Sequence, residues 1–141
     1  MAIQLSTAAS NALMGDGTNQ GLKAFAGTNC YFVFYTATQV VGGPEGTPPT
    51  GALNTTGAGN AVIVTSWSES GGVLTATISG TAGTANAAGT AASWVLYTSG
   101  AAAIASGTVG TSGADINLSS VSFSVSGTIT LTAFSLTYAA H

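Results

Sequence analysis

Beyond residue 20 the chain reads as short runs of β-forming residues separated by glycine-rich turns. No stretch there keeps a 3.6-residue apolar period. The pattern predicts strands over residues 22–25, 30–36, 61–67, 72–79, 92–98, 103–109, 115–118, 121–125 and 127–138. Glycines at 21, 27, 71, 72, 80, 100, 107, 113 and 127 punctuate them and are expected to supply positive φ. Short strands recurring every 8–12 residues or so predict an all-β fold, an antiparallel, jelly-roll-like β-sandwich forming one domain over residues 1–141.

Three stretches say more about faces. Residues 120–126 alternate Ser-Val-Ser-Phe-Ser-Val-Ser, which places Val121, Phe123 and Val125 on the core side. In the last strand Ile129 and Leu131 share one parity, while Phe134, Leu136 and Tyr138 share the other. One buried face accommodates both sets if a bulge or kink falls near Thr132–Ala133; burial on both sides is the competing account. The run Cys30-Tyr-Phe-Val-Phe-Tyr35 is apolar on both faces, so either it is central and covered twice, or its outer face meets another subunit.

Two segments fall outside this pattern. Residues 1–14 are expected to form a short helix or an arm, with Ser6 or Thr7 capping a turn through Ala8, Ala9, Ala12 and Leu13. Residues 42–59, with Pro44, Pro48 and Pro49, are too long for an ordinary connection and read as an extended arm over a neighbouring subunit or as a plain loop. Residues 80–91 read as a surface connection.

Composition narrows the function. Of the 45% hydrophobic residues 25 are alanine, and the larger apolar residues are mostly β-formers: ten Val, six Ile, five Phe, four Tyr and two Trp. Only Lys23, Asp16, Glu45, Glu69 and Asp115 are charged, 4% of the chain against about 25% in an ordinary domain. Nucleic acid is an unsuitable partner, because displacing its counterions takes many Lys and Arg. The exterior must be Ser, Thr, Asn, Gly and Ala, a surface that repels its own copies weakly. The expectation is a protein that works inside an assembly. The first residues lack the basic and apolar regions of a signal peptide, and no run approaches the roughly 18 apolar residues of a membrane-spanning helix.

A search for chemistry returns little. His141 is the sole histidine and the last residue, which leaves a Ser-His-Asp or Cys-His arrangement without a well-placed base. Glu45 and Glu69 are the only pair of glutamates, and both sit in loop-like contexts. Residues 16–21, Asp-Gly-Thr-Asn-Gln-Gly, lack the bidentate Glu of a calcium loop and read as a turn. Cys30 lies in an apolar run and reads as a buried thiol. Neither catalysis, cofactor nor metal is expected. Trp67, Trp94, Tyr31, Tyr35, Tyr97 and Tyr138 can be drawn as a sugar-stacking platform, although Trp94-Val-Leu-Tyr97 and the run into Trp67 read as core.

The run Gly113-Ala-Asp-Ile-Asn-Leu-Ser-Ser-Val-Ser-Phe-Ser-Val-Ser-Gly-Thr-Ile-Thr-Leu-Thr-Ala-Phe-Ser-Leu-Thr137, followed by Tyr138, resembles the C-terminal pattern of small bacteriophage virion proteins. They end in an Ala-Asp-x-x-Leu element, a short strand, a Gly and Thr-x-Phe-x-Leu-Thr, matched here by Ala114, Asp115, Leu118, Gly127, Thr132, Phe134, Leu136 and Thr137. The opening Ile3-Gln-Leu-Ser-Thr-Ala with Asn11-Ala resembles their start, whereas Gly15-Asp-Gly stands where they often continue a longer charged helix. The resemblance implies a capsid decoration or cement protein, a jelly-roll subunit on the virion's capsid exterior. Its partners would be the major capsid protein and its own copies, as a dimer or trimer. Ile3 and Leu5 in the arm and Pro44, Pro48 and Pro49 in the long loop are candidate shell contacts, and Tyr31, Val33 and Tyr35 a candidate self-association face. The alternative is a carbohydrate-binding head fibre or a tail-associated virion protein.

Overall fold

The computed structural model describes residues 3–7, 9, 21–38, 50–54, 61–70, 73–79 and 83–137. Among them the chain runs β1 (Gln4–Leu5), α1 (Leu22–Ala26), β2 (Cys30–Tyr35), β3 (Val62–Ser70), β4 (Val73–Ile78), β5 (Gly83–Thr84), β6 (Gly89–Thr90), β7 (Ser93–Tyr97), β8 (Ala103–Gly110), β9 (Ile116–Asn117), β10 (Ser122–Phe123), β11 (Thr128–Ile129) and β12 (Phe134–Thr137). The main sheet curls in the order β1-β8-β7-β2-β3-β4-β12, antiparallel throughout, with β9 added parallel to β8. Two ribbons, β6–β10 and β5–β11, complete the sandwich-like all-β fold expected from the strand spacing.

The core forms between the curled sheet and the ribbons. Phe32, Trp94 and Phe134 meet edge to face at centroid distances of 4.9–5.6 Å, and Trp67 closes on Phe134 at 6.4 Å. Ile104 of β8, Ile129 of β11 and Leu53 of a long connection are fully buried in the same cluster. Each such aliphatic side chain contributes about 1.5–3 kcal/mol on leaving water. Two-sided strands are the exception: β2 and β7 are buried along their whole length. Phe32, Phe34, Trp94 and Leu96 point into the main core, while Tyr31, Val33, Tyr35, Val95 and Tyr97 form a second cluster on the opposite face.

Several sequence expectations are corrected. Residues 22–25 belong to a helix. Leu-Lys-Ala-Phe-Ala has no β-branched residue and three of the strongest helix formers, and glycines at positive φ bracket it at 21 and 27. Residues 80–91 contain β5 and β6 and are more than a connection. Val125 is 62% exposed, because the strand stops at Phe123 and a turn follows in which Gly127 N–H donates to Ser124 O. Positive φ occurs at Gly21, Gly27, Gly51 and Gly113, but at two turns it falls beside the glycine, on Ala101 and Ser126.

The parity change at 132–133 is real, and larger than a bulge. Ile129 and Leu131 are buried on one side of it and Phe134 and Leu136 on the other, with Thr132 and Ala133 exposed between them. The stretch divides into β11, paired with β5, and β12, paired with β4. A true register shift lies in β3 between Val64 and Ser66, which lets Val62, Val64 and Trp67 all reach the core.

Candidate docking surfaces

The candidate contact residues separate into three groups. Tyr31, Val33 and Tyr35 are 6, 1 and 4% exposed, so of the two accounts of this strand the doubly covered one holds, and these side chains offer no open self-association face. Ile3 and Leu5 are half-buried against the core, where β1 adds to the edge of β8 with Gln4 opposite Ser106 and Leu5 opposite Ala105. Pro44, Pro48 and Pro49 lie outside the described residues, as does Tyr138.

The arm folds back onto its own sheet, and the turn after it starts at Ser6, one of the two expected caps. Ala9 N–H donates to Ser6 Oγ at 3.0 Å, the N-cap bond expected of Ser6, and Thr7 and Ala9 are helical. Ser6 N–H donates to Ile104 O, and both Ser6 and Ala9 are buried.

The long loop is corrected in its later part. Residues 50–54 are a strap built into the sheet. Thr36 N–H donates to Gly51 O, Leu53 N–H to Phe34 O, and Ala52 bridges Tyr35. β2 pairs with β3 only through Cys30, Tyr31 and Phe32, and the strap takes over the edge that β3 leaves. Asn54 splices the two. Phe34 N–H donates to its Oδ1 and its Nδ2 donates to Phe32 O, each at 2.8 Å, so the side-chain amide stands in for a peptide unit of the missing strand. Leu53 and Asn54 are 0 and 1% exposed. Removing residues 42–59 as a block would therefore remove the buried Leu53 and Asn54 and with them part of the core.

The second cluster carries a titration consequence. Tyr35 and Tyr97 share a hydrogen bond of 2.9 Å between their hydroxyls, and Tyr31 stacks on Tyr97 at 5.5 Å. Burial pushes the Tyr35 phenol far above its ordinary range, helped by the bond to Tyr97, and raises Tyr31 as well. Because the folded values lie above the unfolded value of about 10, this stability is intact below pH 10 and declines as pH rises further, where only the unfolded chain ionises. Urea midpoints are expected to stay flat from about pH 7 to 8, to begin to fall above about pH 8.5, where the unfolded Cys30 thiol ionises and the buried one does not, and to fall more steeply above about pH 10, by at most about 1.4 kcal/mol per pH unit per protected group. Phenolate absorbance that titrates completely near pH 10 while the protein stays folded refutes this.

Among the described residues two crevices bear on the site. One, of about 380 Å³, lies between α1 and β3 and carries Lys23, Glu69 and the edge of Trp67. The other, of about 320 Å³, lies between β9 and β12 and includes Asp115, Ile116, Phe134 and Ser135. Asp115 is already engaged: its Oδ2 accepts from Thr108 N–H and Thr108 Oγ1, both at 2.8 Å. The Ala-Asp-x-x-Leu element is thus a clasp that holds β9 on β8, with Leu118 buried behind it. Among the described residues no three His, Cys, Asp or Glu gather as a metal site would require. Cys30 is fully buried, and burial pushes its thiol up, away from the reactive thiolate.

Sequence reasoning missed the outer face of β3–β4–β12. Ser68, Thr75 and Ser135 lie side by side across the three strands, flanked on one side by the pair Ser66 and Thr77 and on the other by Ser70 and Thr137, which stand on either side of Val73. All seven are exposed and uncharged. The alternating hydroxyls of residues 66–70, 75–77 and 135–137 were visible in the sequence, but only the register sets them in rows, about 4.8 Å apart between strands. Among the described residues the aromatic platform, in contrast, does not form: Trp67, Trp94, Tyr31, Tyr35 and Tyr97 are all at least nine-tenths buried.

No protein-family model, no curated protein and no solved structure matches the chain.

Proposed function

We propose that this chain is a non-enzymatic virion structural protein. In this reading it is a capsid decoration or cement subunit that binds the outside of a bacteriophage head and stabilises it through contacts with the major capsid protein and with its own copies. The observation that carries the reading is an exterior almost without ionisable groups, seen most clearly in the seven registered hydroxyls of β3–β4–β12. Such a face exchanges hydrogen bonds with a partner without desolvating charge, and contacts that are weak singly become strong when a shell repeats them. The resemblance of residues 113–138 and of the opening residues to small phage virion proteins supports the same reading. Burial of the tryptophans counts against the sugar-binding alternative; a tail-associated role shares the composition.

Purified particles decide between head and tail. A head subunit is expected in hundreds of copies on the shell surface in cryo-EM maps, and a handful of copies at the tail overturns the assignment. A finer test follows from the strap. Ala37 N–H donates to Thr50 O, so the connection between them begins and ends in adjacent places and can be shortened. Deleting residues 42–48 is expected to leave the thermal midpoint within about 2 °C and to lower occupancy on shells at least tenfold. Undiminished occupancy removes the long loop from the contact surface.

A further inference from the structure

We infer that β1 is an exchangeable arm, and that the slot it fills on β8 accepts the β1 of a second copy of this chain. This deepens the reading of the protein as an assembling subunit and rests on it. The argument begins at the outer edge of β8. One side of β8 is paired along most of its length by β7. Its other side is completed piecemeal: β1 covers Ala105 and Ser106, Ser6 N–H satisfies Ile104 O, the Asp115 carboxylate takes Thr108 N–H, and β9 covers Val109 and Gly110. With β1 in place Ile104, Ala105 and Ser106 are at most 2% exposed, so withdrawing the arm would uncover the unpaired edge of β8.

Nothing in that slot requires the occupant to come from the same chain. β1 pairs with a strand 100 residues away, and among the described residues it pairs with no other strand. Eleven residues, 10–20, separate Ala9 from Gly21. They can span up to about 40 Å, against a radius of gyration near 14 Å for a domain of this size. The tether is therefore long enough for either arrangement. The arm's contacts are the same in both: Leu5 opposite Ala105, Ile3 against the core, Ser6 on Ile104. Exchange conserves these contacts and adds new ones between bodies, and a chain with five charged residues opposes the approach of a copy only weakly. On a shell, exchanged arms would tie neighbouring subunits together.

The test uses the full chain, free in solution, in a Cys30→Ala background, with Gln4→Cys and Ser106→Cys introduced at opposed positions and allowed to oxidise to a disulfide as the protein folds, because Ser106 is 2% exposed and out of reach of a reagent afterwards. Non-reducing denaturing gels after complete consumption of the two new thiols are expected to show covalent species at multiples of the 13.6 kDa chain. Product confined to single-chain mass, or a full-length protein that light scattering finds monomeric up to millimolar concentration, overturns the proposal. Shell occupancy, measured separately on the unmodified chain, tests the decoration reading independently, so either idea can fail alone.

Discussion

Asn54→Ala is expected to destabilise the protein by about 3–5 kcal/mol, a large part of the 5–15 kcal/mol that holds a typical domain folded. The cost does not come from lost packing. Phe34 N–H and Phe32 O lie on a strand buried on both faces, and the Asn54 amide is their partner. Truncation leaves a donor and an acceptor unsatisfied inside the core, at about 1–3 kcal/mol each. Asn54→Asp separates this mechanism from a simple volume effect. A protonated carboxyl can still accept from Phe34 and donate to Phe32, whereas a carboxylate faces a carbonyl oxygen and is buried without a cation. The folded state therefore raises the pKa of the introduced group above its unfolded value of about 3.9. Its contribution is present below that value and lost as pH rises through the folded one. Urea titrations at about pH 4 and pH 8 should place the variant close to wild type at the lower pH and several kcal/mol below it at the higher. An equal loss at both would mean that the amide does not splice the two strands.

The role of Asn54 also marks how far the sequence could be read. Alternation and two-sided apolar runs gave β2, β3, β4, β7 and β8 within two or three residues, because their burial is set by local parity. The same parity argument located the break at Thr132–Ala133, and applied to Val62, Val64 and Trp67 it would have located the bulge in β3 as well. Residues 50–54 were illegible for a different reason. Gly-Ala-Leu-Asn between prolines and glycines has no period, and its place is set by partners on β2 some twenty residues earlier. Tyr31, Val33 and Tyr35 show the limit of face assignment: the pattern gave two apolar faces, but only the three-dimensional packing covers the second. Of the candidate contact residues Tyr31, Val33 and Tyr35 meet in the second buried cluster, while Leu5, paired on β8, and Ile3, packed against the core, anchor the arm.

The exposed hydroxyl face and the buried aromatic core are two consequences of one compositional choice. With one cation and four acids in 141 residues, the chain cannot cover its surface with charge, and with 25 alanines it cannot fill a wide core with aliphatic volume. The core compensates by gathering four large aromatic rings, Phe32, Trp67, Trp94 and Phe134, into one edge-to-face group. The surface compensates with short hydroxyls that keep it hydrated and leave it able to bond a partner. A thin core built around a few rings is sensitive to their placement, and that sensitivity can be measured.

Gly107→Val is expected to cost about 3–5 kcal/mol, and Gly107→Ala about 1–3 kcal/mol. Gly107 was read as a turn glycine, yet it lies inside β8 directly opposite Trp94, at an ordinary strand conformation. The missing side chain is what matters: a Cβ there would lie 2.7–2.8 Å from the Nε1, Cε2 and Cζ2 atoms of the Trp94 indole. The indole cannot retreat, because Trp94 is fully buried and already meets Phe32 and Phe134 at 5.6 and 5.2 Å. A methyl group on β8 must therefore displace the ring and the two phenylalanines behind it. A double-mutant cycle isolates that contact. Trp94→Phe alone should destabilise by creating a void, but in its presence Gly107→Ala should become nearly neutral, giving a coupling of at least about 1 kcal/mol in denaturant unfolding. Additive losses would mean that the glycine is required for the conformation of the strand, and that the ring rests on β8 without depending on the space beneath it.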